Sequence, residues 1–180
     1  NQLTESYDYD GDGNPDRIYS YTFDANGNKL TGSTDNDGNG TKDSGFTNTY
    51  NTNGQRLTNR HEVDGSLYSI TSMTYDANYN LLSERYEYAD GTLGEVTFNT
   101  YDANNNILTI AKHTTTDGGP IYIQTYTYDA NNNRLTERYV LNGDSSRDEM
   151  TVYTYDANGN KLLESEDSDN DGNVDKTITY

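Results

Sequence analysis

The chain has 180 residues, of which 30% are hydrophobic and 18 are tyrosine, and it contains neither tryptophan nor cysteine. Its 12 basic and 30 acidic side chains leave a net charge of −18, which argues against a nucleic-acid or anionic-membrane partner because the chain repels phosphate. The lack of cysteine excludes disulfide bonds, thiolate metal sites and thiol nucleophiles. No stretch is long and apolar enough for membrane insertion. Cations are therefore the natural partners.

A short phrase recurs every 25 to 27 residues and consists of an aromatic residue, Asp or Asn, and a turn rich in Asn and Gly. Such a period predicts a repeat protein, in which one supersecondary unit becomes stable only by stacking on its neighbours. The copies begin at Phe23, Tyr50, Tyr75, Tyr101, Tyr128 and Tyr155, and leucines keep the same spacing at Leu3, Leu30, Leu57, Leu82, Leu108, Leu135 and Leu162. We expect seven units in a single array over residues 1–180, beginning near residues 1, 28, 55, 80, 106, 133 and 160. The first and last phrases are incomplete, so we interpret the chain as a piece of a longer array.

Each unit predicts two strands and two turns. Along residues 17–23, Tyr19, Tyr21 and Phe23 share one face, while Ile18, Ser20 and Thr22 share the other. Low hydrophobicity and high charge would also fit a disordered chain, but the strict repeat and the abundance of Tyr and Thr are typical of strands. No segment has a helical period. The predicted fold class is all-β: an array of antiparallel β-hairpins forming an elongated, twisted or spiralling sheet.

The first turn of each unit contains the recurring phrase. Residues 24–27 have the chemistry of a type I turn followed by a left-handed residue, because Asp bonds to the backbone ahead of it and Gly27 supplies a positive φ. Gly54, Gly159, Asn105 and Asn132 occupy the same place in other units, and Tyr79 is the exception. We expect strain or a slightly altered turn at Tyr79, with a positive φ. The two prolines, Pro15 and Pro120, are expected in the second turn, where a missing N–H harms no sheet hydrogen bond.

The second turn carries most of the carboxylates. Residues 8–16 and 167–175 both read D-x-D-x-D-G-x-x-D, which places acids on a loop bent by glycine, and Ca²⁺ takes six to eight oxygens at about 2.3 to 2.6 Å. An EF-hand also needs an acid at position twelve, where this chain has Tyr19 and Ile178. These turns therefore resemble the short acidic turns of thrombospondin type 3 and dockerin-like repeats. The predicted calcium ligands are Asp8, Asp10, Asp12, Asn14 and Asp16 in the first turn and Asp167, Asp169, Asp171, Asn173 and Asp175 in the last, the asparagines through backbone carbonyls.

A third version of this turn spans residues 33–43 and contributes Asp35, Asp37 and Asp43. Aligned on Gly38, it has lost its first acid and gained two residues, so it either holds a cation or is a solvated turn. The same alternative applies to the two full motifs, since Asp, Asn and Gly form turns without metal. We favour calcium there because four acids within nine residues repel one another unless a cation offsets them.

The middle units have shorter second turns, in which the additional carboxylates are absent. These turns are Asp64-Gly65, Asp90-Gly91, Asp117-Gly118 and Asn142-Gly143-Asp144. They are expected to be simple hairpins that need no ion. Removal of calcium should therefore loosen the ends and the second hairpin more than the middle of the chain.

The phrase at residues 153–162, YTYDANGNKL, closely resembles the YD repeat, also called the Rhs repeat, of bacterial surface proteins, polymorphic toxins and teneurins. The resemblance recurs over all seven units. It implies a long ribbon of β-hairpins that spirals and, in complete proteins, closes into a shell around cargo. The period near 26 is longer than the family norm, and nothing here is similar to the processing or toxin segments that follow the shell. These departures favour a stalk or an open ribbon.

Catalysis is not expected from this sequence. His61 and His113 stand in different units, without cysteine or a second histidine nearby for zinc or a catalytic triad. A pair of carboxylates for glycoside hydrolysis needs a deep cleft and one raised pKa, which a thin sheet does not offer. The tyrosine rows could bind sugar rings, but cross-strand packing explains them better.

The leading functional hypothesis is a non-enzymatic, calcium-binding structural module of a large bacterial cell-surface or secreted protein, acting as a stalk, spacer or display scaffold. Its expected partners are the neighbouring repeats of the same chain. One alternative is an adhesin or carbohydrate-binding surface that takes a surface glycan or protein. Another is a wall segment of an Rhs-type shell that encapsulates a toxin.

Overall fold

The computed structural model describes residues 1–114, 119–142 and 147–180. The described residues form fourteen β-strands and no α-helix, as the sequence predicts. The strands are β1 Gln2–Tyr7, β2 Arg17–Phe23, β3 Lys29–Asp35, β4 Ser44–Tyr50, β5 Arg56–Val63, β6 Ser66–Tyr75, β7 Leu81–Tyr88, β8 Leu93–Tyr101, β9 Ile107–Thr114, β10 Pro120–Tyr128, β11 Arg134–Leu141, β12 Glu149–Tyr155, β13 Lys161–Asp167 and β14 Lys176–Thr179. They form one antiparallel sheet, in which spatial order follows chain order.

The chain divides into two compact units. The first comprises Asn1–Thr74 and Glu84–Gly94, and the second comprises Tyr75–Ser83 and Glu95–Tyr180. Two acidic turns, between β1 and β2 and between β3 and β4, belong to the first unit. The third, between β13 and β14, belongs to the second. The turn at Asp117-Gly118 and most of the turn at Asn142-Gly143-Asp144 lie outside the described residues.

The recurring phrase forms one turn throughout the array. In the first copy the Asp24 backbone N–H donates to the Asn28 carbonyl at 2.9 Å, and the Gly27 N–H donates to the Asp24 carbonyl at 3.3 Å. The residue at the Gly27 position has a positive φ in all six copies, including Tyr79 at +72°. The prediction of a positive φ at Tyr79 is therefore confirmed, and this bulky residue occupies the left-handed conformation that glycine and asparagine adopt more easily.

A β-bulge precedes the phrase in five hairpins. The register shifts between a threonine and the aromatic residue that opens the phrase, namely at Thr22/Phe23, Thr49/Tyr50, Thr100/Tyr101, Thr127/Tyr128 and Thr154/Tyr155. Directly before the bulge, paired threonines such as Thr49 and Thr58 are hydrogen-bonded through their hydroxyls at 2.7 Å. Four of the five hairpins have such a threonine pair, and in the fifth Thr154 pairs with Leu163. In those four, the bulge and the threonine pair set the same register at this end of the hairpin.

The interior is thin. Among the described hydrophobic residues only Met73, Val96 and Tyr153 are buried. Burial of polar groups is supported by hydrogen bonds: the Asn48 side chain donates to the Lys29 carbonyl at 2.8 Å and accepts from Asn59 at 2.7 Å. Cross-strand side-chain pairs and hydrogen bonds thus hold much of this sheet together, as its low hydrophobic content predicts.

Pro120 is placed differently from the prediction. Pro15 lies in the turn between β1 and β2, but Pro120 is the first residue of β10 and pairs with His113. The register shifts immediately after it, between Pro120 and Tyr122. A first strand position next to an irregularity accommodates the missing N–H for the same physical reason as a turn does.

Candidate metal centres in the acidic turns

Three turns bring carboxylates together. We call them acidic loop 1 (residues 8–16), acidic loop 2 (residues 35–43) and acidic loop 3 (residues 167–175). In each loop the acids at positions one, three and nine offer one oxygen apiece, and these oxygens all lie within 4.8 Å of one another. The three clusters are Asp8, Asp10 and Asp16; Asp35, Asp37 and Asp43; and Asp167, Asp169 and Asp175.

Strand ends position two of the three carboxylates. Asp35 and Asp167 are the last residues of β3 and β13, while Asp8 directly follows β1. The acids at position nine directly precede the returning strands β2, β4 and β14. Antiparallel pairing therefore brings positions one and nine together, and the loop needs only to fold position three over them.

The acid at position nine also closes the loop through its side chain. It accepts a hydrogen bond from the backbone N–H of position two, from Tyr9 to Asp16 at 2.6 Å, from Asn36 to Asp43 at 2.6 Å and from Ser168 to Asp175 at 2.8 Å. Its own backbone N–H donates to the carbonyl of the residue just before position one, which is Tyr7, Thr34 or Glu166. The three loops therefore share one closing geometry.

The glycine at position six completes the shared geometry. Its N–H donates to the acid at position one, from Gly13 to Asp8 at 3.0 Å, from Gly40 to Asp35 at 2.8 Å and from Gly172 to Asp167 at 2.9 Å. These donors partly neutralise the carboxylate at position one without using all of its acceptor capacity. The remaining lone pairs are available to a cation.

These contacts correct the alignment of acidic loop 2. Asp35 is its first acid, Gly40 is the glycine at position six, and the loop has the same length as the other two. The alignment on Gly38 was wrong. Two glycines of this loop, Gly38 and Gly40, have a positive φ, at +65° and +86°, and Gly38 was mistaken for the glycine at position six. Asp35, Asp37 and Asp43 have the same spacing as Asp8, Asp10 and Asp16. This equal spacing is the signal in the sequence that identifies the correct alignment.

The acid at position five lies outside the carboxylate clusters. Asp12 accepts from the backbone N–H of Asn14 at 2.7 Å and from its side-chain amide at 3.2 Å, and these two bonds lower the pKa of Asp12. Asp171 has the same relation to Asn173, whose side-chain and backbone donors lower the pKa of Asp171. Acidic loop 2 has Asn39 at this position, and it accepts from the Thr41 N–H at 2.7 Å. Position five thus shapes the loop by bonding to position seven.

Asp35 is the most buried of the cluster acids, at 8% exposure, and its Oδ1 is buried without a hydrogen-bond partner. Burial raises the pKa of Asp35, but donors led by the Gly40 N–H outweigh burial, so its pKa lies below the usual value. The carboxylate is therefore charged at neutral pH while one of its oxygens has no donor. An unpaired buried carboxylate oxygen is costly, and a bound cation fits this donor set.

Several tyrosines pack on other rings. Tyr68 contacts His61 and Tyr88 edge-on, with ring centroids 5.6 and 6.2 Å apart, and Tyr122 lies 5.2 Å from Tyr139 across β10 and β11. His113 contacts the ring of Phe98 at 5.8 Å. These contacts agree with the interpretation of the aromatic rows as cross-strand packing.

Comparison with known proteins gives a likeness of fold. No protein-family model matches the chain, and no curated protein matches it. Two crystal structures, of TcdB2-TccC3-TEV and of TcdB2-TccC3, match 90% and 91% of the chain with a TM-score of 0.59, at 19% and 18% identity. A third, of TcdB2-TccC3 without its hypervariable C-terminal region, has a TM-score of 0.50 at 17% identity. The matched region is 10% of each of those chains, so this chain spans about a tenth of their length. The likeness supports an Rhs/YD-like repeat fold.

Proposed function

We propose that this chain is a non-enzymatic structural module that binds calcium at its three acidic loops and spaces or displays another part of a large extracellular bacterial protein. The observation that carries the proposal is the convergence of three carboxylates in each of three loops of one geometry. Two oxygens bound to the same Ca²⁺ at about 2.4 Å lie at most about 5 Å apart, which the clusters satisfy. Calcium tolerates a variable arrangement of oxygen ligands, so such loops suit it better than the smaller Mg²⁺, which demands a nearly ideal octahedron.

The structural role follows from where the loops lie. Each acidic loop joins two neighbouring strands, so an ion held by positions one and nine links the end of one strand to the start of the next. Because binding to the folded state alone stabilises that state, calcium is expected to stiffen these hairpins. One depression of about 490 Å³ lies over β10, β11, β12 and the preceding Arg147, and it is open to solvent. An open surface of this kind supports a scaffold over an enzyme.

Calcium titration of residues 1–180 tests the proposal. In the combined variant Asp10→Asn, Asp37→Asn, Asp169→Asn, each cluster loses the charge at position three. We expect a calorimetric binding signal in the original chain and its loss in this variant. We also expect chelation to lower the melting temperature of the original chain by several degrees and to leave that of the variant unchanged.

A charge-matched control separates ligation from general electrostatics. The variant Glu5→Gln, Glu84→Gln, Glu149→Gln removes the same charge from exposed strand positions outside the loops. It should bind calcium like the original chain. Equal melting temperatures of the original chain in calcium and in chelator would overturn the calcium assignment.

A second candidate function is a wall segment of a shell that encloses a toxin. The fold likeness to TcdB2-TccC3 over nine-tenths of this chain favours it. Electron microscopy of the complete protein to which the chain belongs distinguishes the candidates, because a closed shell supports the wall segment and an extended rod supports the stalk.

A further inference from the structure

Acidic loops 1 and 2 touch through their backbones. A Cβ built on Gly38 would overlap the carbonyl oxygen of Pro15, and the Asp16 nitrogen would lie 3.5 Å from it. Gly38 is position four of acidic loop 2, and Pro15 is position eight of acidic loop 1. Each partner in this contact is adjacent in sequence to a cluster carboxylate: Pro15 precedes Asp16, and Gly38 follows Asp37.

The other two loops show that the conformation at position four does not itself require glycine. Acidic loop 3 has Asn170 there with φ of +53°, so a side chain is accommodated in that backbone conformation. Gly11 occupies the position in acidic loop 1 with φ of +76°, and a Cβ on it would meet nothing within 4 Å. Gly38, unlike Gly11, lies against a neighbouring loop, and its missing side chain makes the contact possible.

A second feature of acidic loop 2 points to a ligand. Asp35 belongs to its carboxylate cluster, is 92% buried, and has a buried Oδ1 without a donor. A cation bound by the cluster would satisfy this oxygen. The neighbouring Lys42 is engaged elsewhere, because its Nζ lies 2.7 Å from Glu62 Oε2.

We propose that acidic loops 1 and 2 form a coupled pair of cation sites, in which an ion in either loop orders the other, while acidic loop 3 binds independently. This proposal rests on the proposed calcium binding. An ion held by Asp16 fixes the Pro15 carbonyl against Gly38, and that contact positions Asp37 for the second ion. Since the first ion has already ordered the shared contact, the second binds with a smaller loss of conformational entropy.

Repulsion between two bound ions opposes this coupling. It is reduced because the loops carry an excess of carboxylates, and because salt screens charges beyond about 8 Å at physiological ionic strength. Contact through backbone atoms is not screened in this way. The net coupling is therefore positive and should persist at high salt.

Three backbone amides report on the three sites separately. The N–H groups of Gly13, Gly40 and Gly172 each donate to the acid at position one of their own loop. Calcium titrations of the ¹⁵N-labelled chain, followed by the NMR shifts of these amides, give a binding midpoint for each loop. In Asp37→Asn, we expect the midpoint at Gly13 to rise by about fivefold or more, with that at Gly172 unchanged. In the matched variant Asp169→Asn, the midpoints at Gly13 and Gly40 should stay at their original values.

A variant that changes no charge separates the backbone contact from electrostatics. Gly38→Ala places a methyl group on the Pro15 carbonyl and should also raise the midpoint at Gly13 at both low and high salt. Gly65→Ala is its control, because Gly65 has a similar φ of +73° and nothing near its Cβ, and it should leave that midpoint unchanged. An unchanged Gly13 midpoint in Gly38→Ala would overturn the coupling. The absence of any calcium-dependent shift at all three amides would instead overturn calcium binding itself.

Discussion

The tyrosine that opens the recurring phrase ties its hairpin to the preceding one. The hydroxyl of Tyr155 donates to the Arg134 carbonyl at 2.8 Å, and Tyr128 donates to the Ile107 carbonyl at 3.0 Å. Tyr50 and Tyr101 make the same bond to Lys29 and Leu81. In each case the accepting carbonyl belongs to the first residue of a strand. A phenylalanine, as at Phe23, supplies the ring but not this link.

Removal of one such hydroxyl should destabilise the chain measurably. We expect Tyr155→Phe to lower the free energy of unfolding by about 1 kcal/mol, which corresponds to about 3 °C in melting temperature for a chain of this size. Thermal unfolding followed by circular dichroism measures the change. Tyr68→Phe is the control, since the Tyr68 ring contacts His61 and Tyr88 and is half exposed. Equal losses in the two variants would contradict the assignment of a structural role to the hydroxyl.

Single residues also show how far the sequence determines the structure. The six copies of the phrase predicted the positive φ at Tyr79 because a hairpin of fixed length leaves one residue in the left-handed region. The contact between Gly38 and Pro15 could not be predicted, because it joins two turns that are separate in sequence. Only the pairing of β2 with β3 brings these turns side by side.

At the scale of the element, the turn depends on one carboxylate and one amide. Asp156 Oδ1 accepts from the backbone N–H groups of Asn158 and Asn160, and Oδ2 accepts from the Asn160 side chain at 2.8 Å. The Asn160 side chain is the largest cause of a lowered pKa at Asp156. A carboxyl whose pKa is lower in the folded chain stabilises the fold above its unfolded pKa of about 3.9. That contribution is lost as the pH falls through the folded pKa.

The turn between β4 and β5 shows how to remove this pH dependence. There Asn51 replaces the aspartate, and its amide donates to Gln55 Oε1 at 2.8 Å. We expect Asp156→Asn alone to lower the melting temperature at neutral pH, because the neutral amide replaces the charge-assisted hydrogen bonds that the Asp156 carboxylate accepts with weaker ones. Asp156→Asn with Asn160→Gln should restore it and should weaken the loss of stability below pH ~4. Acid titration by circular dichroism checks this, and an unchanged acid profile in the double variant would contradict it.

The acidic loops were predicted in part. Their three locations, the carboxylates at positions one, three and nine, and the need for glycine follow from the spacing of Asp and Gly. The role of Asp12 and Asp171 does not follow from the spacing. The sequence is the same whether the acid at position five reaches the carboxylate cluster or bonds to the asparagine two residues later. Local hydrogen bonds to Asn14 and Asn173 decide between these.

At the scale of the whole molecule, a net charge of −18 acts on a sheet with few buried side chains. Self-repulsion destabilises a compact chain of high net charge, and most of the described ion pairs have at least one exposed side chain, such as Arg85 in its pair with Glu87. Exposed pairs of this kind contribute little. The stabilisation from buried side chains therefore exceeds the destabilisation from charge repulsion by only a small amount.

Monovalent salt should raise the stability of the chain when calcium is absent. We expect the melting temperature in chelator to increase between 0.02 and 0.5 M sodium chloride, because the Debye length falls from about 20 Å to about 4 Å. The increase should be smaller when calcium is present, since bound ions already offset part of the charge. Scanning calorimetry gives both values, and a salt-independent melting temperature in chelator would contradict the role of self-repulsion.

The bulge found before five of the phrases affects how such a chain can change. The bulge sets the strand register at one end of the hairpin, so the connecting loops at the opposite end of the strands can differ in length. A nine-residue acidic loop follows β1, and the two-residue turn Asp64-Gly65 follows β5. New segments can therefore be grafted at that end without altering the pairing of neighbouring strands. A sheet of this design offers a series of attachment points, each open to replacement by a different binding loop.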